Sequence, residues 1–194
     1  MFRITVILSS FLILTTGMLP ANEPADLHIK NGKIIDGSGN PWFFGDVVIQ
    51  KDRITQIGKN LTVDAKQTID AKGLVVAPGF IDIHSHSDTK LIQDGHAQSK
   101  IRQGVTTEIL GEGTSGGPNV GNKPPARLTV NGTALQWRTL GDYFNVLEQS
   151  KISTNVASYV GIGNIWESVM GKTYARPSEG QLKQMEQLLA QAME

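Results

Sequence analysis

Apolar and polar positions keep three different rhythms along this chain. Residues 4–14 are apolar-rich with no period, behind a short basic start at Met1-Phe2-Arg3. From Asp26 to about Val76, short runs alternate apolar with polar residues between turn-forming residues, the pattern of half-buried strands. Strands are expected at residues 27–30, 33–36, 46–50, 53–58 and 68–70, with Asn31-Gly32 as a tight hairpin turn between the first two. His28 alternates with Leu27 and Ile29 and reads as a solvent-facing strand residue. The stretch makes a small β domain with no chemistry of its own.

After Gly79 the rhythm lengthens. Strands at residues 80–85, 105–110 and 155–160 alternate with helices at 97–103, 140–149 and 179–193. Ser178 with Gln181 forms a capping-box pattern, and Leu182, Met185, Leu188, Leu189 and Ala192 make an apolar stripe on the last helix. Such alternation implies an α/β fold with a parallel sheet or barrel. A Gly/Pro-rich segment at residues 111–132 interrupts it directly after a strand, where loops of α/β folds carry function. A closed (β/α)8 barrel needs about 250 residues. About 115 remain after Gly79, enough for three or four units. The barrel is therefore expected to be incomplete, and the helical pattern still running at Glu194 suggests the N-terminal part of a longer protein. The expected organisation is a leader at residues 1–21, a small β domain at 22–76 and part of a barrel at 77–194.

The first rhythm is that of a secretory signal peptide, with cleavage after Gly17 or Ala21, and it is too short to span a membrane. Export to the periplasm or the medium follows. The chain has no cysteine, which excludes a lipid-anchored cysteine, disulfides and thiolate metal ligands. Its 18 basic and 18 acidic residues balance, so nothing calls for a nucleic-acid partner or stable association with an anionic membrane. Asn60-Leu61-Thr62 and Asn131-Gly132-Thr133 match the glycosylation triplet, a pattern short enough to be read as chance.

Candidate chemistry concentrates in Ala77-Pro78-Gly79-Phe80-Ile81-Asp82-Ile83-His84-Ser85-His86-Ser87-Asp88. On a strand, residues two apart share a face at roughly 7 Å, so His84 and His86 can aim at one metal ion. Period two sets Ile81 and Ile83 on one face and Asp82, His84 and His86 on the other, more polarity than a structural strand carries. Gly111-x-Gly113-x-x-Gly116 formally matches a dinucleotide fingerprint. Pro118 and Pro124-Pro125 follow it, and no helix opens at its third glycine, so the phosphate-binding helix start is missing.

Residues 77–88, together with Gln103-Gly104-Val105-Thr106-Thr107-Glu108-Ile109-Leu110-Gly111, resemble the amidohydrolase superfamily and, within it, the D-aminoacylase or N-acyl-D-amino-acid deacylase group. Asn31-Gly32-Lys33-Ile34-Ile35-Asp36-Gly37-Ser38-Gly39 is similar to that group's N-terminal β domain. The likeness runs from about Asp26 to the end. It implies a metal-dependent (β/α)8 barrel beside a small β-sandwich, one or two zinc ions, and hydrolysis of an N-acyl-D-amino acid, a small-molecule substrate, to a carboxylic acid and a free D-amino acid.

Many members carry a metal-binding cysteine in a Gly-Asn-Cys-Gly segment after the second strand, where this chain reads Gly111-Glu112-Gly113-Thr114-Ser115. Anchored backward from Ser115 and Pro118, Glu112 takes the cysteine position; anchored forward from Gly111, it falls one residue short. A carboxylate coordinates zinc well, so Glu112 joins His84 and His86 as a candidate ligand. Asp88 and Asp82 are candidate partners orienting the imidazoles. Glu108 reads as a packing or polar-network residue, and His96 as a loop or helix-start histidine. The resemblance puts two further histidines and a proton-handling aspartate on later strands, beyond Glu194, so this chain alone is expected to be an incomplete catalyst. Two other readings stay open: a related amidohydrolase such as a dihydroorotase, hydantoinase or dipeptidase, and a non-catalytic exported binding fragment.

Overall fold

The structure, a computed structural model, describes residues 23–194, so the leader reading lies outside the described residues. These residues fall into two compact units that separate between Pro78 and Gly79.

The first unit is one five-stranded sheet: β1 (Ala25–Ile34), β2 (Phe43–Gln50), β3 (Arg53–Gly58), β4 (Ala65–Asp70) and β5 (Val75–Val76). The order is β3-β2-β1-β4, with β2 antiparallel to β1 and β3, and with β4 and β5 pairing parallel to successive parts of β1. Among the described residues this unit has no second sheet to complete a sandwich.

Asn31-Gly32 does not turn the chain back. Instead β1 runs through it with a register shift between Ile29 and Gly32, and Asn31 takes a positive φ of 61°. The bulge is held from a distance: the Asn31 N–H donates to Asp46 Oδ1 at 2.8 Å. A Cβ at Gly32 would lie 2.6 Å from Val76 Cγ2, so only glycine lets β5 pair there. His28 is likewise not solvent-facing. It sits on the central strand between Val48 and Thr68, is 2% exposed, and brings Nε2 within 3.6 Å of Asp46 Oδ2. Which face of a strand is covered decides burial, and local alternation does not record it.

The second unit is mixed α/β. Its elements are β6 (Phe80–Asp82), α1 (Asp88–Gln93), α2 (Gln98–Ile101), β7 (Val105–Leu110), β8 (Ala126–Val130), β9 (Thr133–Trp137), α3 (Leu140–Gln149), β10 (Asn155–Ser158), α4 (Ile162–Met170) and α5 (Glu179–Ala192). β6, β7 and β10 form a parallel sheet with β7 central. β7 and α3 have the expected bounds. α3 also carries a Thr139/Asp142 capping box, and buries Leu140, Tyr143 and Leu147 against Leu91, Ile92, Leu110 and Trp137.

Several expected elements are shorter. β6 stops at Asp82 because Asp82 Oδ1 accepts the His84 N–H at 3.2 Å and turns the backbone; the Ser85 N–H rejoins β7 through Ile109 O at 3.0 Å. β10 stops at Ser158, one residue before the Tyr159 N–H makes a last bond to Leu110 O at 2.8 Å. Left-handed Ala97 delays α2 to Gln98. α5 starts at the expected capping box, yet none of its residues is buried, and Leu182 and Leu189 remain exposed.

The segment at 111–132 is built rather than loose. Its last part enters a β8–β9 hairpin that turns at Asn131-Gly132, both with positive φ, so the Asn-Gly hairpin exists one hundred residues later than expected. Its first part is stitched down by buried Asn164 of α4, whose Oδ1 accepts the Ser115 N–H at 2.8 Å and whose Nδ2 donates to Ser115 O at 2.9 Å. Trp137 Nε1 donates to Gly116 O at 2.7 Å. The loop after β7 thereby gains a fixed course beside the end of β6.

Candidate metal centre

His84 and His86 follow the C-terminal end of β6, and Glu112 follows that of β7. Adjacent parallel strands thus deliver three donors to the end of the sheet where α/β proteins carry their sites. His84 Nε2 lies 3.0 Å from His86 Nε2 and 2.7 Å from Glu112 Oε2, and one ligand atom from each residue falls within 4.8 Å of the others. All three residues are exposed. Glu112 reaches the imidazoles because Gly111 and Gly113 both have positive φ, at 86° and 75°, and the Gly163 N–H of α4 fastens Gly113 O at 2.8 Å.

An imidazole nitrogen carries at most one proton, so His84 Nε2 cannot hydrogen-bond to both neighbours through hydrogens of its own. Three lone pairs converging on one point suit a cation. In tetrahedral zinc sites with bonds of about 2.0–2.2 Å, neighbouring donors stand about 3.3–3.6 Å apart, so the two short separations would open by about half an ångström to seat the ion. The donor set of two imidazoles and a carboxylate therefore fits zinc in its chemistry, and the three side chains are exposed and free to adjust their spacing.

The surroundings fix the ligand loop. Asp82 Oδ2 binds Lys100 Nζ at 2.5 Å, and the Lys100 ammonium, followed by the His84 N–H, holds the Asp82 carboxyl below its ordinary range. Asp82 thus grips the backbone of His84 and not its ring. Asp88 opens α1 with Oδ1 buried and without a hydrogen-bond partner, and burial pushes its carboxyl up. Neither aspartate is hydrogen-bonded to an imidazole. His96 lies apart from the cluster, exposed, with its N–H on Asp94 Oδ1 at 3.1 Å.

Glu108 is the centre of a buried polar network on β7. Its Oε2 accepts from Ser85 Oγ at 2.6 Å and Ser87 Oγ at 2.5 Å, and its Oε1 accepts from Thr154 Oγ1 at 3.0 Å. Burial alone would raise this carboxyl, but the three hydroxyls and Lys100 outweigh it and hold it below its ordinary range. The link from Glu108 to the histidine loop had one signal in the sequence: serines alternate with the histidines. Asn164 had none. The glycine fingerprint at 111–116 leads to a hairpin, without a helix at its third glycine.

With this geometry in view, comparison with known proteins is informative. The profile described as "Amidohydrolase family" matches residues 67–193. An N-acyl-D-glutamate deacylase of Alcaligenes xylosoxydans xylosoxydans is 36% identical over 174 residues, covering 89% of this chain and 36% of the relative. A D-aminoacylase of the same organism is 34% identical over 175 residues, covering 89% and 36%. The crystal structure of an N-acyl-D-glutamate deacylase from Bordetella bronchiseptica, complexed with zinc and a phosphonate mimic of the tetrahedral intermediate, superposes with a TM-score of 0.76. It is 34% identical, covering 88% of this chain and 36% of that one. The chain thus spans about a third of the length of the relatives it matches.

Proposed function

The chain belongs to the amidohydrolase family, and on that premise we propose that it forms part of a zinc-dependent hydrolase that cleaves the amide C–N bond of N-acyl-D-amino acids. The products are a carboxylate and a free D-amino acid. On this reading β6, β7 and β10 with their helices are the opening units of a (β/α)8 barrel, the first unit is one part of an accessory β domain, and the metal centre lies at the barrel's C-terminal face.

The observation that carries the proposal is the meeting of His84, His86 and Glu112 at the ends of neighbouring strands, in a chain whose likeness to deacylases covers nearly nine-tenths of its length. His84 and His86 would hold zinc through Nε2, and Glu112 through its carboxylate. Bound there, zinc supplies Lewis acidity, which acidifies water and polarises an amide carbonyl. The protein around it keeps the imidazoles in register: Asp82 holds the His84 backbone, and the Gly111–Gly113 kink presents Glu112.

The basic and apolar start of the sequence supports export to the periplasm or the medium. Among the described residues, no helix is long and apolar enough to cross a membrane.

The test is to incubate the intact protein with N-acetyl-D-glutamate, N-acetyl-D-leucine and their L-enantiomers and assay the released amine on a chiral column. Release from D-substrates only, abolished by a chelator and restored by zinc, is the expected result. Turnover confined to L-substrates or cyclic ureides would replace this reading with that of another amidohydrolase.

A further inference from the structure

We propose that Glu108 is a positioning residue for the metal centre, setting the aim of His84 and His86 through the hydroxyls of Ser85 and Ser87. This rests on the zinc reading above.

Glu108 is wholly buried beside Leu110, at a position of a central parallel strand where an apolar side chain would serve packing better. A buried carboxylate persists only when its lone pairs are filled, and here three hydroxyls and the Lys100 ammonium, 3.6 Å away, fill them. Two of those hydroxyls belong to the ligand loop itself. Ser85 lies between the two histidines, and Ser87 follows them. Ser85 is buried and Ser87 half-buried with their hydroxyls on Glu108, while the alternate residues, His84 and His86, are exposed on the other side of the loop. Lys100 completes the frame, since it binds both Glu108 and Asp82, and Asp82 holds the His84 N–H. Beyond the end of β6 the Ser85 N–H still bonds Ile109 O of β7, and these side-chain bonds add to that single backbone tie in setting the loop's geometry. Outer partners of this kind decide how well exposed ligands converge on an ion.

The experiment is a Co²⁺ titration of the intact protein, read by visible ligand-field bands, in wild type, Glu108→Gln, Ser87→Ala and the core variant Leu147→Ala. Glu108→Gln is expected to weaken Co²⁺ binding by about 10- to 100-fold and to shift the bands. Ser87→Ala, which keeps the carboxylate, is expected to give a smaller loss of the same kind. Leu147→Ala should lower the thermal midpoint and leave both cobalt readouts at wild-type values. If Glu108→Gln does not fold, Ser87→Ala decides. Wild-type affinity and bands in the variants of the Glu108–serine link overturn the positioning role alone. An equal loss in Leu147→Ala overturns it too, by showing that lost stability suffices. A wild-type protein that binds no Co²⁺ overturns the metal centre and this inference together.

Discussion

His84 Nε2 and the Glu112 carboxylate stand 2.7 Å apart although they leave the ends of different strands, one after a turn stapled by Asp82 and the other between two left-handed glycines. Without a cation this is an exposed histidine–carboxylate pair, worth at most about 1 kcal/mol. As part of a zinc site it closes the coordination of the two imidazoles. Glu112→Gln separates these cases, because the amide keeps size and one hydrogen-bonding oxygen but loses the anionic donor. Zinc affinity measured by chelator competition should fall by more than the about 10- to 100-fold that loss of an outer partner costs. Unchanged affinity would leave Glu112 as an ordinary loop glutamate.

Zinc should stabilise the fold by mass action. At free zinc 100 times the dissociation constant, the gain is about 2.7 kcal/mol. The thermal midpoint of the wild type should therefore climb with zinc concentration, and that of His86→Ala should not. A midpoint indifferent to zinc in both proteins would count against the site.

Asp46 makes the first unit sensitive to acid. Burial opposes its charge, but the N–H groups of Asn31 and Leu61 and the neighbouring His28 outweigh burial and lower its pKa below the ordinary 3.8. A carboxyl with a lowered folded pKa stabilises above its unfolded value, and that contribution is lost as pH falls through the folded value. Asp46→Asn should cost about 1–3 kcal/mol near neutral pH, by urea denaturation. The gap from wild type should narrow only below pH 3.8. A gap independent of pH down to the acid transition would show that the charge contributes nothing.

Asn164→Ala should loosen the 113–119 segment. The substitution strips a partner from the buried Pro118 carbonyl, at about 1–3 kcal/mol for a buried group left bare, and from the half-buried Ser115 N–H and carbonyl at less. Limited proteolysis should then cut between residues 111 and 125, and zinc affinity should fall as Glu112 loses its support. Wild-type protease resistance would mean that Trp137 and the hairpin hold the loop unaided.

Local rhythm was enough to read the strand at Val105–Leu110 and the helix at Leu140–Gln149, because each repeats its period and lies between clear breakers. The triad was legible through His-x-His and through the family likeness, which directed attention to Glu112. What failed was decided at long range. Asn31-Gly32 and Asn131-Gly132 are the same dipeptide, yet the first becomes a bulge because Asp46, on another strand, takes its N–H. His28 is buried, beside the buried Asp46 of the neighbouring strand, while Leu27 and Ile29 on either side of it are only half-buried. α4 went unread because Gly161, Gly163 and Asn164 are poor helix formers, and Asn164 contributes through bonds to a distant loop.

The span from His84 to Glu112 takes in the whole passage from the end of β6 to the end of β7. In a chain with no cysteine, an ion gripped at both ends of that passage would be a cross-link, topologically equivalent to a disulfide. By the loop-closure argument, tying off a loop of this length removes unfolded-state entropy worth about 3–4 kcal/mol. Unlike a sulfur–sulfur bond, such a clasp would open to a chelator rather than to a reductant, so the stability of this segment would follow metal supply instead of redox state.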